Sequence, residues 1–469
     1  MSLPNYKKTL ARRGGKVYNI IRGDFMKIEN LKNPSLAVGI DIGTTTICAS
    51  VYDMESKTEL ESISEAHDFY VSRGVFCEED VSLILKKAEK ILYEILSKYQ
   101  GVISIGITGQ MHGIVYVNEK GDAVSNLITW QDTRGDALLA SGKTACEEIF
   151  ELSGEKASTG YGVATHYYNL KNGLVPKDAV RFVSIMDLFA MKICGLEKAP
   201  THASIGASFG LFDLEKGEFM QGKLSKLGID TSFLPRVTSK SAIIGKCQGI
   251  DVSVPIGDNQ ASFLGSVGLK NNCALVNFGT GSQISAVSDF HSVNSALELR
   301  PYVEGKYLIC GSSLCGGYAY SMLERFFSSY AEKLGVTTSQ YSVMNSLAKE
   351  AYESGREGMD VNTAFLGKRS EPSVRGSIKN IGKENFTPAE LVLGVLKGMV
   401  NELYELYGLF PEKRENIVAS GGAVKKNEIL KRLICDIFEN EISVSASNEE
   451  AAVGAAIFSL ISTGKIKYE

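Results

Sequence analysis

The stretch Leu36–Asp53, LAVGIDIGTTTICASVYD, decides the fold. LAVGIDIG (36–43) and TICASVYD (46–53) are apolar, β-branched runs that predict two strands joined by a tight Gly-Thr turn, a hairpin. A turn of Gly43, Thr44 and Thr45 lets backbone N–H groups and hydroxyls converge on a phosphate with no Cβ atoms in the way. Asp41, just before it, is a hard oxygen ligand suited to Mg²⁺, directly or through water. One such hairpin fits plain β-branched strand formation equally well; repetition decides between the two.

The plan recurs. ALVNFGTGSQISAVS (274–288) is again apolar strand, Gly279-Thr280-Gly281-Ser282 turn, apolar strand, about half of the 469-residue chain further on. A third glycine turn, Gly421-Gly422, sits in NIVASGGAVKKNEILKRLICDIF (416–438), which reads as a strand, a turn and one amphipathic helix. Two phosphate-sized turns, one per half, predict two related domains facing each other across a cleft. The intervening segments predict a mixed α/β architecture: a helix over 81–99, a strand over 102–110, a second hairpin in GIVYVNEKGDAV (113–124), a helix from about 318 and a last alanine-rich helix in EEAAVGAAIFSLIS. The halves are expected to meet near 266–272, giving residues 1–35 as an N-terminal extension, 36–266 as the first domain and 267–469 as the second.

Bulk properties narrow the function classes. The formal net charge of −4 argues against nucleic acid as the main partner, and the basic segment KKTLARRGGK reads as a solvated arm. No unbroken apolar run of 18 residues predicts a membrane span. The first clean strand is expected near Leu36, the preceding residues carry no secretory h-region, and Met26 could be an original start. Nine cysteines (48, 77, 146, 194, 247, 273, 310, 315 and 435) without a C-x-x-C pair predict free thiols in a reducing cytoplasm and no structural metal. Ser141-Gly142-Lys143-Thr144 offers the ending of a Walker loop, but Ala137 stands where that motif needs glycine and no strand precedes it.

Two clusters look like a polyol pocket. GQMHG (109–113) ends a strand with Gln110, Met111 and His112, and ITWQDTRGD (128–136) sets the only tryptophan, Trp130, beside Asp132. Amides and carboxylates hydrogen-bond hydroxyls, and an indole packs the CH face of a sugar. Asp258 in VPIGDNQAS, followed by Asn259, is the candidate general base; a helix N-cap is the competing structural reading.

DIGTTT, GQMHG, TWQDTR, GDNQAS, FGTGS and SGGAVKKNEIL, in that order, resemble the FGGY carbohydrate kinases, of the actin-like ATPase superfamily, over residues of about 36 to 465. The resemblance implies an α/β chain of two ribonuclease-H-like domains around a central cleft. It also implies MgATP-dependent phosphorylation of a ketose terminal hydroxyl. TWQDTR, residues 184–213 and FLGKRSEP (365–372) look more like the sedoheptulokinase branch, with D-xylulose as the alternative acceptor. By motif position, Asp258 would be the base. Met111, His112, Asp132, Asp258 and Asn259 would line the sugar site. Thr44, Thr45 and Thr280 would meet phosphates, Gly316 and Gly317 would sit near the nucleotide, and Gly421 with Gly422 would pack on adenosine. Mg²⁺ would fall to Asp41 and Asp258. The partners implied are a small ketose and ATP, not nucleic acid or membrane; family members are often homodimers. One departure stands out: the family usually carries Lys or Arg five positions after the first turn glycine, and here that position is Cys48. A non-catalytic actin-like ATP sensor would explain the hairpins, but not the polyol cluster.

Overall fold

In the computed structural model the described residues are 35–289, 293–369 and 371–468, with three short strands before them. Those strands, Thr9–Arg13, Lys16–Ile21 and Asp24–Lys27, form an antiparallel sheet of their own. The expectation that no strand precedes Leu36 is therefore corrected; the β-forming run VYNII carries the middle strand. Met26 and the basic arm lie outside the residues whose side chains are described.

The first large sheet is built from β1 (Leu36–Ile42), β2 (Thr46–Asp53), β3 (Thr58–Ala66), β4 (Val102–Gly109), β5 (Ile243–Cys247) and β6 (Ile250–Ser253), in the order β5-β6-β4-β1-β2-β3. β1 pairs antiparallel with β2 and parallel with β4, so the chain leaves the hairpin and returns through the Val81–Lys98 helix. That helix buries Ile84, Ala88, Ile91 and Ile95 along one face, and its first turn is capped by the Asp80 carboxylate.

The second sheet repeats the plan. It comprises β7 (Cys273–Phe278), β8 (Ser282–Ser288), β9 (Glu298–Pro301), β10 (Tyr307–Ser313), β11 (Asn416–Ser420) and β12 (Ile442–Val444), in the order β9-β10-β8-β7-β11-β12. Again the first strand has an antiparallel neighbour on one side and a parallel one on the other, β7 lying between β8 and β11. The sheets differ at their edges, where β5 extends one side of the first and β9 the opposite side of the second.

A helical layer joins them. Glu450–Ser462, from the end of the chain, lies on β1 and β4 so closely that a Cβ on Gly39 or Gly106 would come within 1.7 or 1.8 Å of the Ala452 or Ala455 carbonyl oxygen. Asp258–Val267 meets the same helix just as closely, Gly454 facing Ala261 and Gly265 facing Glu450. Glycine is required there by close approach. Ala37, Phe263, Leu275, Leu308 and Phe458 seal the space between the sheets. Dividing the chain at 266/267 thus separates the last helix in sequence from the sheet on which it rests.

One local expectation is extended and another corrected. Residues 113–124 fold back through the expected turn, Asn118 N–H donating to Asp122 O at 3.0 Å and Val124 N–H to Tyr116 O at 2.8 Å with Val117 bridging Ala123, while Val115–Val117 also pairs with Arg181–Val183. Val115 to Val117 are all buried, and the strand takes this second partner without giving up the turn. The helix expected after Gly421-Gly422 is two helices, Gly422–Lys426 and Glu428–Phe438, split at Asn427, whose side chain caps the second by accepting from Leu430 N–H.

Candidate active site

The C-terminal ends of β1 and β4 and the start of the Asp258–Val267 helix converge on a cavity of about 430 Å³. Asp41, Gly43, Thr44, Gln110, Met111, His112, Trp130, Asp258 and Asn259 all line it. Thr45 is exposed beside the turn, its carbonyl accepting from His67 N–H at 2.8 Å. Motifs far apart along the chain therefore face one space.

Asp258 is not the N-cap; Gly257 is. The Asp258 Oδ1 accepts from its neighbour's backbone N–H at 2.6 Å and from Asn259 Nδ2 at 3.0 Å. Burial pushes its carboxyl above the ordinary range, opposed by His112, the Asn259 donors and Arg300. A Cβ at Gly257 would meet Gln260 Oε1 at 2.5 Å and Met111 Sδ at 2.7 Å, so a larger residue there would displace two side chains that line the cavities. Asp41 is pushed up to about 7, first by burial, then by Asp258 and Glu449. Two mutually repelling carboxylates at one cavity are what a hard divalent cation relieves. Among the described residues no group of three or more His, Cys, Asp or Glu is arranged to hold a metal. Two carboxylates nevertheless fit Mg²⁺, which takes one or two from protein and the remainder from phosphate and water. Cys48 sits directly across from Asp41 in the β1–β2 register, and its thiol is raised by burial, Asp41 and Glu449, so it supplies no positive charge.

On the acceptor side, His112 Nδ1 lies 2.9 Å from the Ser208 carbonyl. A carbonyl only accepts, so Nδ1 carries the proton and Nε2 is left as an acceptor. The ring stacks on Tyr161 at 4.2 Å, and the backbone is held at φ 71°, a left-handed conformation sparsely used by non-glycine residues. Burial lowers the histidine's pKa, opposed by the Ser208 carbonyl and by Asp258. Gln110 Nε2 donates to Glu79 Oε2 at 3.0 Å, which fixes the amide with Oε1 unpaired among the described residues. Trp130 Nε1 donates to Thr44 Oγ1 at 3.0 Å, tying the indole to the phosphate-type turn.

Asp132 is the correction. It is fully buried and lines neither this cavity nor the one that adjoins it. Its carboxylate accepts from Cys77 N–H at 2.8 Å and from Arg134 Nε and Nη2, each at 2.8 Å. Arg134, itself buried, also reaches Glu78 and Asn169. A carboxylate saturated by a buried guanidinium holds the loop together and has no lone pair to spare for a sugar. Thr144 of the Walker-like ending is likewise engaged, capping the Ala145–Ser153 helix reciprocally with Glu147.

The second turn gathers the remaining glycines. Gly317 N–H donates to Gly279 O and Tyr318 N–H to Thr280 O, both at 2.9 Å. A Cβ on Gly316 would strike Gly281 at 2.5 Å, and Gly421, at φ 95°, would strike Phe278 O at 2.4 Å. Gly422 faces open space, with nothing within 4 Å of where a Cβ would stand. The turn's flank reaches the last helix through Lys425, which pairs with Glu450 at 3.2 Å and donates to Ser447 O at 2.6 Å.

Sequence reasoning missed Glu79, Tyr161, Gln283, Glu298, Arg300 and Arg369. The last five line an adjoining cavity of about 610 Å³ that shares Met111, His112 and Asn259 with the first. The only signal was a charged residue inside the strand ELRP and the FLGKRSEP segment, whose Arg369 reaches that wall.

Comparison with solved structures defines the fold. The chain superposes on gluconate kinase from Lactobacillus acidophilus with a TM-score of 0.76 at 19% identity, covering 92% of this chain and 90% of that one. Ligand-bound xylulose kinase from the same organism gives 0.75 at 19% identity, over 92% and 90%. This is the two-domain α/β fold of sugar kinases. Residues 36–265 match the N-terminal domain and 274–463 the C-terminal domain of the FGGY family of carbohydrate kinases. The chain belongs to that family and is a sugar kinase. A mouse (Mus musculus) sedoheptulokinase is 25% identical over 91% of this chain and 97% of its own length. A Staphylococcus epidermidis xylulose kinase is 24% identical over 92% and 89%.

Proposed function

We propose that the protein is an ATP-dependent ketose kinase that phosphorylates a terminal hydroxyl, with D-sedoheptulose ahead of D-xylulose as acceptor. The observation that carries this is Asp258 in one cavity with both the Gly43-Thr44 turn and the Met111–His112 segment. Asp258 accepts the proton of the acceptor hydroxyl as its oxygen attacks the γ-phosphorus; the bond to the β-bridging oxygen breaks and ADP leaves. His112 Nε2, Gln110 Oε1 and Asn259 orient the acceptor, and the Trp130 ring covers it. Gly43, Thr44 and Thr45 meet the transferring phosphate. Gly279, Thr280, Gly281, Gly316, Gly317, Gly421 and Gly422 let the nucleotide approach backbone closely. Mg²⁺, held by Asp41 and Asp258 directly or through water, would neutralise phosphate charge where Cys48 supplies none. The similarity to sedoheptulokinase, covering nearly both chains, supports the seven-carbon acceptor. The nine free thiols support a reducing, cytoplasmic setting. Among the described residues no helix is long and apolar enough to cross a membrane.

The test is ADP release from MgATP with sedoheptulose, xylulose, gluconate, glycerol or no acceptor. Release should depend on the acceptor and be fastest with sedoheptulose. Fastest turnover with xylulose would move the assignment to the five-carbon ketose. Release indifferent to every acceptor would overturn it.

A further inference from the structure

The cavity at Asp258 does not end at His112. It continues into the larger one, whose walls come from both halves: Tyr161 and Ser208 from the first, Gln283, Arg300 and Arg369 from the second. The second half's wall is a charge cluster. Arg300 Nε and Nη2 both donate to Glu298 Oε2, at 3.1 and 2.6 Å, while Arg369 Nη1 donates to Glu298 Oε1. Two guanidiniums thus share one carboxylate, which leaves one positive charge in excess. A guanidinium has five N–H donors; Arg300 places two on Glu298 and a long third, at 3.4 Å, on Gln283 Oε1. Arg300 is also near enough to act electrostatically on both Asp258 and His112. A donor-rich, net-positive wall therefore stands beyond the group that receives the acceptor hydroxyl.

An acceptor whose reacting hydroxyl is at Asp258 and whose carbon chain passes His112 has its far end in this second cavity. A five-carbon chain extends less far toward the guanidinium than a six- or seven-carbon one. We propose that the second cavity seats the far end of the acceptor, and that Arg300 selects oxygen-rich acceptors of six or seven carbons over five. This rests on the kinase reading above and adds to it the residue that measures chain length. The far-end oxygens are hydroxyls of a ketose or the carboxylate of a six-carbon aldonate, and both have the acceptor lone pairs that Arg300 calls for.

The test is the ratio of kcat/KM for sedoheptulose to that for xylulose, measured in the full chain and in Arg300→Met, with gluconate as a third acceptor. Loss of charge-assisted hydrogen bonds from one side of a site costs roughly 10–100-fold. The ratio is expected to fall by about that factor, chiefly through a higher KM for the longer acceptor. Ala207→Leu, which narrows the same cavity while keeping the guanidinium, is expected to lower the ratio too. If Arg300→Met fails to fold, that second variant carries the test. A steeper fall for gluconate than for sedoheptulose also supports the proposal and makes the far end acidic. Equal losses on short and long acceptors, or an unchanged ratio, overturn it while leaving the kinase reading intact. A wild-type chain that phosphorylates no polyol fails the kinase reading itself, and this proposal falls with it.

Discussion

At the first Gly-Thr turn, Asp41 stands across the strand pair from Cys48; at the second, Asn277 occupies the same register position, across from Gln283. The backbone plan is common, yet one oxygen of a carboxylate has become an amide nitrogen. Asn277 uses it to donate to Ser420 Oγ at 2.7 Å, tying β7 to β11. Asp41 cannot donate in that way once ionised, and its carboxyl is pushed up to about 7. The first turn keeps negative charge beside an acid at Asp258; the second is neutral and ringed by glycines that bring backbone to backbone. On the function proposed above, the first would hold a cation and a reacting phosphate, and the second would let a nucleotide come close.

The largest expected effect comes from Asp258→Asn, which should lower kcat by about 10²–10⁴-fold while a fluorescent ATP analogue still titrates with near wild-type affinity. Equal loss of nucleotide binding would erase the division of labour between the turns. Next is Asp41→Asn, which turns the first turn into a copy of the second. Loss of a cation-holding carboxylate is expected to cost about 10–100-fold in kcat/KM. In the wild type, Asp41 must lose its proton to hold a cation, so Mg²⁺ affinity should strengthen as pH rises through about 7. The same raised pKa means the unfolded chain gives up this proton first. Stability without Mg²⁺ is therefore lost between about pH 4 and about 7 and level above. Melting temperatures across pH, with and without Mg²⁺, check both slopes, and Asp41→Asn should flatten them.

A smaller effect, confined to the second turn, is expected from Gly421→Ala. At φ 95°, with a Cβ 2.4 Å from Phe278 O, the variant should lose about 1–3 kcal/mol in thermal unfolding and raise the KM for ATP. Gly422→Ala, with nothing near its Cβ, should stay within about 0.5 kcal/mol of wild type. Reversal of that order would mean that the glycines serve something other than close approach. A modest effect, on sugar binding, is that of Trp130→Phe, which keeps a ring but loses the donor to Thr44. About 0.5–1.5 kcal/mol, a few-fold change in sugar KM, is expected. A purely local change in sugar affinity, identical with and without ATP, would show that this bond does not couple the acceptor pocket to the first turn.

Much of this could be read along the chain. Both hairpins, the Val81–Lys98 helix and the last helix stand where periodicity places them. Gln110, Met111, His112, Trp130, Asp258 and Asn259 all reach the cavity their motifs suggested. Asp132 did not, because its neighbour Arg134 folds back on it, and a sequence does not say whether two adjacent charges face each other or a ligand. Glu79 was invisible for the same reason: it matters only through Gln110, 31 positions away. The 113–124 turn was legible, but the pairing of Val115–Val117 with Arg181–Val183 was not, because that partner lies far along the chain.

By itself the sequence determined the two strand–turn–strand devices and their residues, since a turn and its flanking strands are short-range objects governed by φ/ψ preference and period. The tertiary structure alone decided which halves of the chain share a wall. The final helix rests on the first sheet through glycines at 39 and 106, and Arg300 shares a cavity with His112, almost two hundred residues earlier. Such neighbours are set by packing at van der Waals distance, which depends on the whole fold and leaves no local mark.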